Sequence, residues 1–558
     1  MAGEAGSSSS QRMFHRATRK VCFRHRRMRD EWTRATRSGG STINGYSAAT
    51  MSQIVVAGAS QLAADVGGVI ADQGGNAVDA AIGANLTAMI TEPGVCAIGG
   101  GGFVTVWPAQ SDPVTFDGYM EMPGRGLEPD QFGRGSFEVT MEYGGGITTG
   151  IGHGSVATPG ALAAFSLASE RFGALPWREI LGPVIDVVRR GFPMSQASRF
   201  YLQYSAEKIF GWEPESRAAL FPDGILLEEG DLVFIPDLAD SLQIIADTGV
   251  EAFYLGDLAR MISEDVVEHG GILTRADMSA YRAIERPSLR TELDDWEIAT
   301  NPAPAIGGAS LAAMLFLLER SGFPDWGIEG MHHVVRTQQA VLGFRREYLD
   351  TADDRIPEIK RLLELSHTGD WRRLLTSPST VHASAVDDGG NGCSVTMSAG
   401  YGSGVMPPGT GIWLNNSLGE IELNRRGFHS LEPGARLVSN MAPTVGRRAD
   451  GSVLSIGSPG ADRITTAILS TLLNLIHLGM DLDDAVQHPR LHVEYPDDGP
   501  RVAYEPGLGV ESLGLVSREF ESTDMFFGGV GAAIYQPMKG LAASADHRRT
   551  GGVAFGGG

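Results

Sequence analysis

The stretch from Pro378 to Asn416, PSTVHASAVDDGGNGCSVTMSAGYGSGVMPPGTGIWLNN, constrains the fold of this chain more than any other. Residues 380 to about 386 are partly β-branched, residues 387 to 391 read Asp-Asp-Gly-Gly-Asn, and residues 392 to 398 form a second short run. Two such runs around a glycine-rich turn predict a β-hairpin. Pairing symmetric about Gly389 puts Thr380 opposite Ser398, His382 opposite Thr396 and Ser384 opposite Ser394. Directly opposed Cβ atoms lie about 5 Å apart, so one face of the hairpin carries polar groups with Thr380 at its head. Two readings follow. The bland one is a surface hairpin whose Thr and Ser serve β-propensity. The sharp one is a nucleophile. If the peptide bond before Thr380 is cut, its new α-amine can act as the base for its own hydroxyl. An α-amine titrates near neutrality, whereas a hydroxyl alone is a poor nucleophile.

Other blocks favour the sharp reading. Thr380-Val381-His382, Val386-Asp387, Gly390-Asn391, Thr396-x-Ser398, Gly402-Ser403-Gly404, Gly409-Thr410-Gly411 and Leu414-Asn415-Asn416 occur in order. GGNAVDAA (74–81), EPGVCAIGGGGF (92–103) and SVATPGALAAF (155–165) precede them, as do FYLGDLA, GGILTRADMSAY and a Pro-Ala-x-Gly-Gly near 304–308. SPGADRI (458–464), HPRLH (488–492) and ADHRRTG (545–551) follow. In this order the blocks resemble the γ-glutamyltranspeptidase family of N-terminal nucleophile hydrolases over nearly everything after residue 53. The resemblance implies an α/β (α+β) fold, the four-layer αββα sandwich of those hydrolases with a helix-rich large-subunit portion. It divides the chain into a basic extension (1–50), a large-subunit region (51–379) and a small-subunit region (380–558) that begins at the nucleophile.

Composition suits a soluble enzyme: 42% hydrophobic and 20% charged residues over 558 positions can form a sizeable core. A net charge of −22 argues against nucleic acid and anionic membranes as partners. Three scattered cysteines, Cys22, Cys96 and Cys393, make neither a disulfide framework nor a zinc-ligand spacing. His332-His333 and His488 to His492 have ligand-like spacing, but helix packing explains them better, and the expectation is no metal and no cofactor. Residues 12 to 37 hold ten Arg or Lys against three acids up to Thr50, which reads as a disordered tail rather than a transit peptide. No apolar run there reaches the length of a signal or a membrane span, a departure from relatives that are often exported, and the expected location is cytoplasmic.

Apolar spacing predicts helices over Ala63 to Gln73, Ala77 to Ile90, Pro159 to Arg171, Pro176 to Arg190, Leu311 to Arg320, Met331 to Tyr348 and Arg463 to Leu478. Prolines open the third and fourth, where a missing N–H does no harm. Strands are predicted at Ile54 to Ala57 and Val453 to Ile456. Interleaved elements of this kind suit a layered α/β arrangement. Two glycine clusters, GGGGF (99–103) and GSPGAD (457–462), match no phosphate-loop motif. The second instead runs from a strand into a helix, where backbone N–H groups can stabilise developing negative charge. The resemblance puts those oxyanion donors at Gly460 and Ala461.

The implied chemistry has two stages. Thr380 attacks the carbonyl of Ser379 and splits the chain, with Pro378 rigidifying the approach and the 179 residues from 380 onward forming the small fragment. The freed amine then activates the Thr380 hydroxyl against a small-molecule amide. An acyl-enzyme forms and passes its acyl group to water or an amine acceptor. The resemblance assigns Ser398 to hold the amine, and Asn415 and Asn416 to the site wall. Substrate-side positions depart from the family. Met120 stands where an arginine usually clamps the glutamate carboxylate, with Arg125 as a substitute only if the loop runs differently. Gly400 replaces an asparagine, Ser417 a glutamine and Glu420 an aspartate, and a Ser-Ser pair becomes Ser439-Asn440. Three functions stay open: a γ-glutamyl hydrolase or transferase acting on glutathione-type substrates, a related acylase or amidase (cephalosporin-acylase-like or oxamate-amidohydrolase-like), and an unprocessed, non-catalytic homologue. The large and small fragments are expected to remain together as a heterodimer, with further oligomerisation left open.

Overall fold

The computed structural model describes residues 52–142, 146–350, 352, 354–368, 380–421, 423–496 and 499–558. The basic extension and the Pro378-Ser379 approach lie outside the described residues. The chain divides into two units, Met1–Met51 and Ser52–Gly558, and all that follows concerns the second.

Two antiparallel sheets form the centre of this unit. The seven-stranded sheet runs, edge to edge, Gly552–Gly556, Ile54–Gly58, Val381–Asp387, Gly392–Ser398, Gly101–Trp107, Val114–Gly118 and Ile284–Pro287. The six-stranded sheet runs Gly540–Ala545, Gly531–Gln536, Val453–Gly457, Thr444–Arg448, Trp296–Thr300 and Leu289–Leu293. The sheets pack face to face through Val55, Val386, Val453 and Ala533, and through Trp107, Ala299 and Val445. Helices Gln61–Asp72, Ala77–Thr91 and Ala161–Phe172 cover the outer face of the first sheet. Helices Ile306–Ser321, Arg463–Leu472 and Leu482–Gln487 cover the outer face of the second. The order is helix, sheet, sheet, helix, the four-layer αββα sandwich. Strands from both sides of residue 380 are interleaved within one sheet, with Ile54–Gly58 between Gly552–Gly556 and Val381–Asp387, so a cut there leaves two interlocked pieces.

Local sequence explains these elements. Asn76 caps Ala77–Thr91, accepting from Val78 and Asp79 N–H, while the Asp79 carboxylate accepts from Asn76 N–H. All fifteen residues of that helix are buried, as its unbroken run of small and apolar side chains requires. The run Gly99 to Gly102 serves close packing. A Cβ would lie 2.4 Å from Trp413 O at Gly99, 2.1 Å from Ser398 O at Gly100 and 2.1 Å from Thr396 O at Gly102. Asp387 and Asn391 close the hairpin turn with bonds of 2.9 to 3.1 Å, and Asp387 also accepts the Ala77 N–H at 3.3 Å.

Several predicted boundaries move. Pro159 precedes its helix by two residues and Pro176 is the cap rather than the first helical residue. The helix predicted from Leu311 begins at Ile306, because Gly307 and Gly308 pack on Asn440 O and Asn301 O too closely for a side chain. The helices predicted to Tyr348 and Leu478 end as α-helix at Phe344 and Leu472, and each continues as a π-turn.

Candidate active site

The hairpin forms in the expected register: Val381 opposite Met397, His382 opposite Thr396 and Ser384 opposite Ser394. One further step puts Thr380 across from Ser398. The surface-hairpin reading fails, since both strands are buried throughout and Thr380 is 1% exposed. The polar face is turned onto the second sheet. Ser394 Oγ donates to Ile456 O at 3.0 Å, Ser455 Oγ to Cys393 O at 2.7 Å, and Ser384 Oγ to Gly531 O at 3.1 Å. His382 lies between, with Nδ1 2.9 Å from Thr396 Oγ1 and Nε2 2.8 Å from Ser384 Oγ. Because Ser384 donates to the Gly531 carbonyl, the network assigns Nε2–H as donor to Ser384 and Nδ1 as acceptor. Burial pushes the His382 pKa down to about 3, so the ring stays neutral. A Cβ on Gly457 would stand 2.3 Å from this ring, which is why the strand Val453–Gly457 ends on glycine here.

That cross-sheet stitching delivers the turn beyond Gly457 to the head of the threonine strand. Pro459 and Thr380 line one cavity. Gly460 has φ +121° and Ala461 φ +67°, and Ala461 is fully buried. A left-handed alanine costs about 1–2 kcal/mol, so the surroundings must impose it. The next residue, Asp462, caps helix Arg463–Leu472 and is gripped by Arg345 Nη1 at 2.8 Å and Asn440 Nδ2 at 3.3 Å. Arg345 Nε also pairs with Asp350 at 3.1 Å, all three side chains being buried. Burial works against the Arg345 charge, but the two carboxylates outweigh it and hold the guanidinium above its ordinary range. A strained turn ahead of a helix N-terminus, fixed by a buried ion triad, is suited to stabilising an oxyanion.

The remaining candidates join into one contiguous patch. Ser398 Oγ accepts from Gly400 N at 3.0 Å. A Cβ on Gly400 (φ +63°) would meet Asn416 Oδ1 at 2.3 Å and the Glu420 carboxyl at 3.0 Å, so the asparagine usual in the family cannot stand here without rearrangement. Glu420 is 1% exposed and sits near Tyr119, whose hydroxyl is pushed well up by burial and by that carboxylate. Tyr119 in turn hydrogen-bonds Ser439, and Asn440 reaches Asp462. Met120 is fully buried, with Ser417 Oγ donating to its Sδ at 3.5 Å. Arg125 does not take over: its guanidinium pairs with Asp277 at 3.3 Å and Glu121 at 3.4 Å. Asn415 and Asn416 work as fasteners. Asn415 accepts from Ala157 N and Ser417 N and donates to Gly99 O and Ala157 O. Asn416 accepts from Tyr401 N and donates to Thr149 Oγ1 and Gly150 O.

Sequence reasoning passed over three groups here. Tyr119 stands beside Met120, and Arg355 lies buried near that tyrosine with its Nε unpartnered. Glu92 lines the Thr380 cavity. Only Glu92 carried a signal, as the single carboxylate of the block EPGVCAIGGGGF. The histidines singled out for spacing do not gather. His488 stacks on Trp326, and His492, on strand Leu491–Glu494, lies 3.1 Å from Thr466 Oγ1. Against the expectation of no metal, one group among the described residues places three donor atoms within 4.8 Å: His153, Asp265 and His269. Its imidazoles are stacked 20° from parallel, and His269 Nδ1 is 2.8 Å from Asp265 O. That arrangement serves two imidazole–carboxylate contacts of 3.3 and 3.4 Å. Cys96 and Cys393 are buried free thiols.

The gamma-glutamyltranspeptidase family model matches residues 63–556. The chain is 27% identical to the glutathione hydrolase proenzyme of Escherichia coli (strain K12) over 500 residues, 83% of this chain and 84% of the relative. It is 30% identical to the acylase ACY 1 proenzyme of Pseudomonas sp. (strain V22) over 460 residues, 78% of this chain and 81% of the relative. The fold matches the crystal structure of cephalosporin acylase from Bacillus halodurans with a TM-score of 0.76 at 23% identity, covering 93% of this chain and 98% of that one. With the four-layer sandwich in place and the family model matching residues 63–556, the chain belongs to the gamma-glutamyltranspeptidase family of N-terminal nucleophile hydrolases and is an enzyme of that family.

Proposed function

We propose that the protein is a self-cleaving amidohydrolase in which Thr380 first splits the chain after Ser379 and then attacks small-molecule amides as an N-terminal nucleophile. The observation that carries this reading is Thr380 at the head of a buried strand, sharing a cavity with the turn that leads into Gly460 and Ala461. After cleavage the α-amine takes the proton from Oγ, and Oγ attacks the amide carbonyl. The oxyanion meets the N–H groups of Gly460 and Ala461, the amine leaves with the proton, and water or an amine acceptor releases the acyl group. Ser398, across the ladder, holds the α-amine. The two fragments stay together because their strands are interleaved in one sheet.

For the acyl group, the geometry favours an acylase or amidase over a γ-glutamyl enzyme. Methionine has no N–H fork for a carboxylate, Met120 is buried against Ser417, and Arg125 is committed to Asp277 and Glu121. A γ-glutamyl donor is the second reading. Glu420, buried beside the Tyr119–Ser439 pair, favours it as a partner for a substrate ammonium.

A denaturing gel and a substrate panel test both levels. Two bands, the smaller starting at Thr380, and loss of cleavage and turnover in Thr380→Ala are expected. Cleavage retained in that variant refutes the nucleophile. Faster turnover of simple acyl anilides than of a γ-glutamyl anilide is expected, and the reverse order refutes the acylase reading.

A further inference from the structure

The self-cleavage reading leaves a chemical gap. In the uncut chain the nitrogen of Thr380 is an amide and cannot accept a proton, so the first attack of Oγ needs another base. The cavity at Thr380 narrows the choice, because its titratable lining groups are Glu92, His382, Asp546 and Arg549. His382 is buried and neutral, with both ring nitrogens engaged by Thr396 and Ser384. Asp546 is held between Arg490 Nη1 at 2.6 Å and Arg548 Nη1 at 3.1 Å, and takes the Val530 N–H at 3.0 Å as well. Arg549 has no lone pair to offer. Glu92 is different. It caps the C-terminal end of helix Ala77–Thr91, is 3% exposed, and takes Ser195 Oγ and, at 2.8 Å, Ser198 Oγ on Oε2. The Ser60 hydroxyl also acts on this carboxylate, but Oε1 is buried and no donor lies within ordinary hydrogen-bond distance of it.

We propose that Glu92 is the base of the self-cleavage step, taking the Thr380 Oγ proton through a water held in the shared cavity. The cavity, of about 30 Å³, exceeds the ~10–15 Å³ a single water requires. The balance is simple. Oγ bonds to the Ser379 carbonyl carbon as its proton passes through the water to Glu92. The Ser379–Thr380 C–N bond then breaks, and the same proton goes to the departing nitrogen. An ester links Ser379 to Thr380 Oγ, and a second water hydrolyses it to a Ser379 carboxylate and a free Thr380 with hydroxyl and α-amine. Burial raises the Glu92 pKa to about 7, against the opposing pull of the serine hydroxyls and Arg549, so the carboxylate is partly ionised and basic near neutral pH. Asp546 is buried too, but Arg490 and Arg548 keep its pKa below the ordinary range, and His382 titrates far too low. Glu92 is therefore the cavity group that can give the first cleavage an inflection near pH 7.

The inference rests on the self-cleavage reading, and the test separates the two. Full-length chain made by cell-free synthesis at low pH is jumped to pH 5.5–8.5, and the first-order appearance of the 380–558 fragment is followed on gels. Wild type should cleave faster as pH rises, with an inflection near 7. Glu92→Gln should cleave about 10²-fold more slowly, the usual size of a general-base contribution, with no such inflection. Glu92→Asp should keep an inflection, displaced from wild type. Wild-type cleavage that is flat between pH 6 and 8, or Glu92→Gln cleaving at the wild-type rate, overturns the proposal. Should Glu92→Gln not fold, the wild-type and Glu92→Asp profiles decide. A wild-type chain that never cleaves sinks the self-cleavage reading and this role with it, whereas cleavage indifferent to Glu92 sinks this role alone.

Discussion

Asn415→Asp is the sharpest structural test, because the change keeps the shape and alters only hydrogens and charge. Asn415 is fully buried and uses its whole capacity: Oδ1 accepts from Ala157 N and Ser417 N at 3.0 Å each, and Nδ2 donates to Gly99 O at 2.7 Å and Ala157 O at 2.9 Å. In the aspartate one oxygen still accepts both N–H groups. The other faces two carbonyl oxygens and donates nothing. Two hydrogen bonds are lost: Ala157 O is stranded, at roughly 1–3 kcal/mol, while Gly99 O keeps the Asn415 backbone N–H at 3.3 Å and loses about 0.5–1.5 kcal/mol. The sum is about 1.5–4.5 kcal/mol, a sizeable part of the ~5–15 kcal/mol that stabilises an ordinary domain. The penalty also depends on pH. A protonated carboxyl at this position can donate one bond and carries no charge, so the folded state raises the pKa of the introduced aspartate and the loss is smaller at pH 4 than at pH 8. Urea unfolding followed by tryptophan fluorescence at both pH values measures this. A variant as stable as wild type at pH 8, or one that loses more at pH 4, refutes the assignment of Asn415 as a saturated fastener.

Arg345→Met removes the cation shared by Asp350 and Asp462, leaving Asp350 with Arg425 at 3.7 Å and Asp462 without its guanidinium partner. A loss of about 3–5 kcal/mol is expected from the unfolding midpoint, together with slower acylation as the Gly460-Ala461 turn loosens, and an unchanged midpoint argues against the triad. Glu92 gives a stability prediction of opposite sign to the usual carboxylate. Its folded pKa of about 7 lies above the ordinary 4.5, so between these values the folded chain holds a proton that the unfolded chain has lost, and folding weakens as pH rises. Relative to wild type, Glu92→Gln should therefore gain ~3 kcal/mol between pH 4.5 and 7 and little beyond, read as the difference in unfolding free energy across that window.

Much of the site was legible because it is local. A turn of fixed length sets hairpin register, so Thr380 opposite Ser398 follows from the glycines at its centre, and the strand-to-helix turn at Gly460-Ala461 follows from SPGAD. Roles were less legible than positions. Asn415 and Asn416 read as a site wall, yet their amides are spent tying together loops more than 250 residues away in sequence. The polar hairpin face read as a catalytic surface, yet most of it bonds the opposite sheet, which brings Pro459 and Thr380 to one cavity.

By itself, then, the sequence determined the family, the hairpin register and the missing arginine at Met120, and it singled out Thr380 as the candidate nucleophile, all of which depend on residue type within a short span. The cavity joining Glu92, Thr380, Pro459 and Arg549, the triad around Arg345 and the full engagement of Arg125 were decided by tertiary structure. Each is assembled from segments distant along the chain, and burial, which sets whether a carboxylate is a base or a bound anion, belongs to the packed molecule and to no residue alone.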